Sequence, residues 1–169
     1  MEEPKDYRAN QFKRRTSLKF QPRLKEAIDD CISRYKGLKI LDIGFGSQEN
    51  FDLWREVDAW GLDINPDVAK GEKQIIGDAH HIPLQDESFD VIFSSHTFEH
   101  GYNPEQMAKE FERIAKKAIY LIVPLEKESE DPAHYVSISN TEELINLFSW
   151  KCVEFNQRTH GDYYFLFEK

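Results

Sequence analysis

The chain has 169 residues and a net charge of −9, with 22 Lys and Arg against 31 Asp and Glu. That length suits one domain, and a chain near ~150 residues buries roughly 70% of its unfolded surface, enough for a core without staples. No run of about 18 apolar residues occurs, so no membrane span is expected, and the acidic balance argues against broad nucleic-acid binding, which relies on neutralising phosphates.

Met1-Glu2-Glu3-Pro4-Lys5-Asp6 has no apolar signal core, and Cys31 and Cys152 form no CxxC pair. A cytoplasmic protein with reduced, core-filling cysteines is the expectation. Residues 1–25 run against the overall charge, with eight Lys or Arg and three Asp or Glu. Residues 1–21 show no clear period. They read as a basic arm, solvated and partly disordered, ahead of a single domain over 22–169. Arg8, Lys13, Arg14, Arg15, Lys19, Arg23 and Lys25 could still meet an anionic substrate.

Pro22 opens a helix whose apolar residues Leu24, Ala27, Ile28, Cys31, Ile32 and Tyr35 recur at three and four, with Gly37 as its stop. A strand over 38–43, a short helix within 48–57, and a strand ending at Asp63 follow. Gln74-Ile75-Ile76-Gly77 is a brief strand ending at Asp78, and 79–88 is a polar loop. Phe89 to Ser94 is almost continuously apolar, as a buried parallel strand should be. Asn103-Pro104-Glu105 caps a helix with the stripe Met107, Ala108, Phe111, Ile114 and Ala115. Ala118 to Val123 is a fifth strand, and 125–137 a long loop. Asn140-x-x-Glu143 suggests a capping box before a short helix, and 151–155 with 162–167 reads as a β-hairpin. Alternating strands and helices ending in a hairpin predict an α/β fold. Its doubly wound, mostly parallel seven-stranded sheet would end in an antiparallel hairpin at one edge.

The chemistry concentrates in Ile40-Leu41-Asp42-Ile43-Gly44-Phe45-Gly46-Ser47, an apolar strand ending in a glycine turn. A dinucleotide site would want a third glycine at position 49, where Glu49 would instead point charge at the pyrophosphate. Asp42 suits a cation better than a phosphate. A ligand with an ammonium, a ribose and an adenine but no phosphate, such as S-adenosylmethionine, fits better.

Four segments then stand in the order found in class I S-adenosylmethionine-dependent methyltransferases acting on small molecules, which the chain resembles from about Gly37 onward. They are Leu41 to Gly46, Gly61-Leu62-Asp63-Ile64, Gly77 to Leu84, and Asp86 to Phe93 followed by Phe98-Glu99-His100. The resemblance implies S-adenosyl-L-methionine as cofactor, held by Asp42, Gly44, Phe45, Gly46, Asp63, Ile64, Asp78, Ala79, His80 and Ser95. Asp63 would take the ribose hydroxyls in charge-assisted hydrogen bonds. Ile64 would pack on adenine, Asp78, Ala79 and His80 would surround it, and Ser95 would face the methionine part. The family often has glycine where Gln48 stands, and the Gln48 side chain could crowd or hydrogen-bond the ligand.

His96-Thr97-Phe98-Glu99-His100 also satisfies H-x-x-E-H, a zinc-hydrolase pattern. It is wedged between a buried strand and a new helix, so no metal is expected. His96, His100 and His134 are the candidates for a general base toward a hydroxyl nucleophile; His160, in the distal hairpin, ranks below them. The Ser94-Ser95-His96-Thr97 segment lacks the Asn/Asp-Pro-Pro-Tyr/Phe pattern of nucleic-acid amino methylation, and there is no Pro-Cys nucleophile. A small-molecule acceptor methylated on oxygen or nitrogen is expected, and an anionic one would suit the basic arm. The alternative is a weakly active or inactive binding or regulatory module of the same fold.

Overall fold

The computed structural model describes residues 1–14, 22–125, 133–158 and 161–169. Lys13, Arg14, Arg15, Lys19 and Arg23 of the basic arm, and His160, are outside what is described at the side-chain level. The strands in chain order are β1 (Ile40–Ile43), β2 (Ala59–Asp63), β3 (Gln74–Ile76), β4 (Phe89–Ser95), β5 (Ala115–Val123), β6 (Lys151–Gln157) and β7 (Tyr163–Glu168). They form one seven-stranded sheet in the order β3-β2-β1-β4-β5-β7-β6. The first five are parallel, and β7 runs antiparallel between β5 and β6. This is the mixed, doubly wound sheet the sequence pattern implies. The chain winds outward from β1 in one direction and from β4 in the other. Such a switch point opens a crevice at the carboxyl ends of the strands.

The helices are α1 (Tyr7–Arg14), α2 (Pro22–Arg34), α3 (Gln48–Phe51), α4 (Pro104–Ile114) and α5 (Thr141–Ile145). Strand alternation feeds two apolar layers. Leu41, Ile43, Ile92, Ile119 and Leu121 meet Met107 and Phe111 of α4 and Leu144 of α5. Ile40, Val91, Phe93, Ala118, Tyr120 and Ile122 meet Ala27, Ile28 and Cys31 of α2. Burial of this kind is worth roughly 25 cal/mol per Å² and supplies most of the driving force. Asn103 caps α4 by accepting the Gln106 N–H, with Pro104 in the first turn. Asn140 caps α5 by accepting the Glu143 N–H, while Glu143 reaches back to the Ser139 N–H and hydroxyl.

Three elements differ from expectation. Ala115 begins β5 rather than ending the α4 stripe, because its backbone has turned extended (φ −79°, ψ 141°). β1 starts at Ile40, since the Lys39 N–H goes to the Asp90 side chain. Residues 7–14, read as part of a disordered leader, form a helix that docks on the crevice. Both cysteines are free thiols, Cys31 buried and Cys152 half-buried. Among the described residues no helix is long and apolar enough to cross a membrane.

Candidate functional site

The glycine turn after β1 is shaped by two contacts. Gly44 (φ 81°) and Gly46 (φ 73°) take the left-handed backbone that glycine enters without a Cβ penalty. Thr97, beyond β4, lies on Gly44 and donates its hydroxyl toward the Gly44 and Ser95 carbonyls at 3.4 and 3.3 Å. The Gly46 N–H donates to Asp63 Oδ2 at 3.0 Å, and the Asn65 N–H to Asp63 Oδ1 at 2.9 Å. Two backbone donors therefore fix the Asp63 carboxylate, only 1% exposed, at the tip of β2.

Neighbouring residues turn elsewhere. Asp42 shares the face of Ile40, so its carboxylate points into the layer under α2 and accepts the Trp54 indole N–H at 2.8 Å. Phe45 lies over Gly61 and against Phe51. Gln48 is exposed; its amide donates to Asp52 and its oxygen accepts from Gln74. The side chain that could have crowded a ligand instead ties α3 to the start of β3. The α3 terminus is also committed, since the Ser47 hydroxyl accepts the Asn50 N–H.

Asp78 follows β3. Its Oδ1 accepts from the His80 N–H at 2.9 Å and from His80 Nδ1 at 2.6 Å. Its Oδ2 is 3.6 Å from the Arg8 guanidinium. Burial alone would push the Asp78 carboxyl up. The His80 hydrogen bonds and the Arg8 charge outweigh it and hold the group below the usual carboxylate value. His80 is fully buried, stacks on Tyr102, and accepts the Asn103 N–H at Nε2. That bond places its ring proton on Nδ1, facing Asp78.

α1 closes this side. Tyr7 meets His80, Tyr102 and Tyr135 edge-on, the Asn10 amide donates to the Tyr135 hydroxyl, and the Gln11 amide donates to the His100 carbonyl. Chain reading missed α1 because its buried face is an aromatic and an amide among charges, not an aliphatic stripe. The spacing of Tyr7 and Gln11, four residues apart, was its only signal.

Beyond β4, His96 takes a left-handed backbone (φ 51°) and sits between two carboxylates, Asp162 at 3.2 Å and Glu99 at 3.4 Å. Burial would lower its pKa, but the two acids raise it to about 9. His96 is thus an imidazolium near neutral pH and has no lone pair to accept a proton, which leaves His100 and His134 as base candidates. Phe98–His100 is a single 3-10 turn, too short to aim His96 and His100 at one point. His100 instead meets the His134 ring, with centroids 4.7 Å apart.

A narrow cleft with a cavity volume of about 20 Å³ opens over the tips of β1 and β2. Of the residues singled out from the sequence, Gly44, Asp63, Ile64, Ala79 and His100 line it. Asp42, Phe45, Gly46, Asp78, His80, Ser95, His96 and His134 do not; Gly46, Asp78 and His80 stand directly behind it and position those that do. Tyr7, Gln11, Thr97 and Met107 are among the other residues of its wall.

Residues 41–123 match the family described as a methyltransferase domain. No curated protein matches the chain in sequence. Among solved structures, the PH0226 protein of Pyrococcus horikoshii superposes with a TM-score of 0.69 at 17% identity, covering 98% of this chain and 99% of its own. A chain of the complex between the Haloferax volcanii Trm112 methyltransferase activator and a methyltransferase gives 0.69 at 17% identity, covering 99% of both. An S-adenosylmethionine-dependent methyltransferase of Aquifex aeolicus gives 0.67 at 16% identity, covering 89% of this chain and 99% of its own. At these identities the structures speak for the fold. Together with the family match over the glycine turn and both acidic strand tips, they give a Rossmann-like methyltransferase fold in which residues 41–123 are similar to the methyltransferase-domain family.

Proposed function

We propose that the domain transfers a methyl group from S-adenosylmethionine to an oxygen or nitrogen nucleophile of a small molecule. The observation that carries this reading is Asp63. It is a buried carboxylate fixed by the Gly46 and Asn65 N–H groups at the floor of a cleft that Gly44, Ile64 and Ala79 also line. The same turn suits a ligand without a pyrophosphate. Gly46 N–H already serves Asp63, Ser47 already caps α3, and Glu49 stands in its first turn.

When bound, the cofactor would supply an electrophilic methyl carbon on a sulfonium sulfur, a leaving group able to take the electron pair of the carbon–sulfur bond as the acceptor's lone pair bonds the carbon. Asp63 would hold the ribose diol, and Ile64 and Ala79 would bracket adenine. Tyr7 and Gln11 cover the cleft and keep water out. Alignment of two reactants in such a site can supply on the order of 7–11 kcal/mol. His100, on the cleft wall, and His134 beside it are the groups placed to take an acceptor proton. The turned-away Gln48 supports an active enzyme over an inactive module.

Calorimetry with S-adenosylmethionine and S-adenosylhomocysteine tests this. One site per chain is expected, weakened about a hundredfold in Asp63→Asn, since two hydrogen bonds to a charged group are each worth roughly 1.5–3 kcal/mol. Absence of binding of either compound at millimolar concentration would sink the reading. Binding without turnover on a broad panel of hydroxyl and amine acceptors would favour the regulatory module.

A further inference from the structure

Asp78 divides its two carboxylate oxygens between the domain and α1. Oδ1 accepts from the His80 N–H and from His80 Nδ1. Oδ2 accepts no hydrogen bond among the described residues; it faces the Arg8 guanidinium at 3.6 Å, an ion-pair distance too long for a hydrogen bond. The pair is lopsided, since the Asp78 side chain is 9% exposed and that of Arg8 55%, and Arg8 is shared with Glu3 at 2.9 Å. Elsewhere α1 is held by few contacts. Of its described side chains only Tyr7 and Gln11 are buried, and both line the cleft. The Asn10 amide adds one bond to the Tyr135 hydroxyl at 2.9 Å.

Seated there, α1 leaves a cavity of about 20 Å³. That is room for roughly one water, whereas sites for small molecules enclose on the order of 300–1,000 Å³. A ligand the size of a nucleoside cannot share the crevice with α1 in this position.

We propose that α1 is an autoinhibitory plug: docked as it stands it keeps S-adenosylmethionine out of the crevice, and the cofactor binds only as α1 withdraws and Arg8 gives up Asp78. This rests on the cofactor reading above. An adenine seated against Ala79 would present its amino group to Asp78 Oδ2, so Arg8 and the base compete for one oxygen. The exchange replaces a solvent-screened ion pair with a hydrogen bond to a charged acceptor. His80 keeps hold of Oδ1 in either position. An eight-residue helix has little stability of its own, so withdrawal costs chiefly the Tyr7, Asn10 and Gln11 contacts. With the crevice occupied, α1 returns only to a higher seat, where Tyr7 and Gln11 still cover the ligand but Arg8 no longer meets Asp78. The apparent affinity is the intrinsic one scaled by the fraction of chains with α1 withdrawn, so whatever loosens α1 tightens the cofactor.

The test is calorimetry of the full chain with S-adenosylhomocysteine at about 0.05 and about 0.5 M NaCl, since screening over that range weakens an exposed ion pair. The ligand carries one carboxylate and one ammonium, so salt acts mainly through Arg8 and Asp78. Binding to the parent should tighten about two- to fivefold at the higher salt, the span an ion pair of this exposure is worth. Arg8→Gln should bind tighter than the parent by a similar factor at low salt and lose the salt dependence. Asn10→Ala, at a residue that does not line the cleft, should also bind tighter but keep the salt dependence. Hydrogen exchange over residues 7–14 should be faster in the bound chain than in the free one. Slower exchange there on binding, or equal or weaker binding in both variants, would overturn the plug and leave the cofactor reading standing. No binding to the parent or to either variant at millimolar concentration would sink the cofactor reading and the plug with it.

Discussion

Thr97 occupies the space where a Gly44 side chain would stand: a Cβ built on Gly44 would lie 2.0 Å from the Thr97 hydroxyl oxygen. Gly44 is also at φ 81°, so two independent constraints fall on one residue. Gly37, at φ 80°, has nothing within 4 Å of such a Cβ and bears only the first. Gly37→Ala should therefore cost about 1–2 kcal/mol from backbone strain alone. Gly44→Ala should cost about 3–4 kcal/mol, strain plus displacement of Thr97. Urea unfolding of both variants measures the difference, and adding Thr97→Ala to Gly44→Ala should recover part of it. Equal costs at the two glycines would show that Thr97 yields freely.

Tyr7 is the anchor of α1. Its ring is 5% exposed and contacts three rings across the cleft. Removing a buried aromatic costs roughly 3–5 kcal/mol where the surroundings cannot escape. An eight-residue helix can escape, because it is not stable alone. Tyr7→Ala should thus release α1 while leaving the sheet nearly as stable as before. Hydrogen exchange should show residues 7–14 unprotected and β1, β4 and β5 unchanged, with faster association of S-adenosylhomocysteine. A matching loss of protection in the sheet would mean α1 is part of the core.

What the chain discloses and what it hides divide along physical lines. Strands β1 and β4 are buried on both faces, so they read as apolar runs, and acids at strand tips such as Asp63 stand out against them. The direction of Asp42 was not legible in the same way. Its place two residues after Ile40 sends it to the α2 layer, where Trp54 takes it, and no local pattern announces that partner. Gln48 is settled by Gln74, 26 residues on, and the meeting of Glu99 and His100 with His134 depends on a loop returning from β5. Contacts of that range follow from topology. The sheet order could be anticipated from the strand and helix alternation, but not which side chains it would bring face to face.

Arg113 secures the loop that carries Ala79. Its guanidinium donates to the carbonyls of Ile82 and Leu84 and to the carboxylates of Glu110 and Asp86, while Glu110 also accepts the Ile82 N–H. Those bonds raise the Arg113 pKa and hold Glu110 below the usual range against its own burial. Arg113→Ala leaves Glu110, 8% exposed, without its cation. A loss of roughly 2–4 kcal/mol is expected. Arg113→Lys keeps the charge but not the planar fork, and should recover less than half. Thermal unfolding gives the stabilities, and weaker S-adenosylhomocysteine binding in Arg113→Ala would report the loosened Ala79 loop.

Asp78 sets a limit on stability in acid. Its carboxyl titrates below its usual value in the folded chain, so folding favours the charged form. The stability it contributes is complete above the unfolded pKa of about 3.9 and is lost as pH falls through the lower folded value. Asp78→Asn should remove that dependence and, by weakening the 2.6 Å bond to His80, cost roughly 1–3 kcal/mol at neutral pH. Glu99 and Glu110 are also held low, so the acid limb of the stability curve should become shallower in the variant without becoming flat. Urea unfolding between about pH 2 and 6 distinguishes the cases. A variant whose acid limb is as steep as the parent's would mean that the His80 and Arg8 contacts do not hold Asp78 charged, and that its place behind Ala79 is fixed by burial alone.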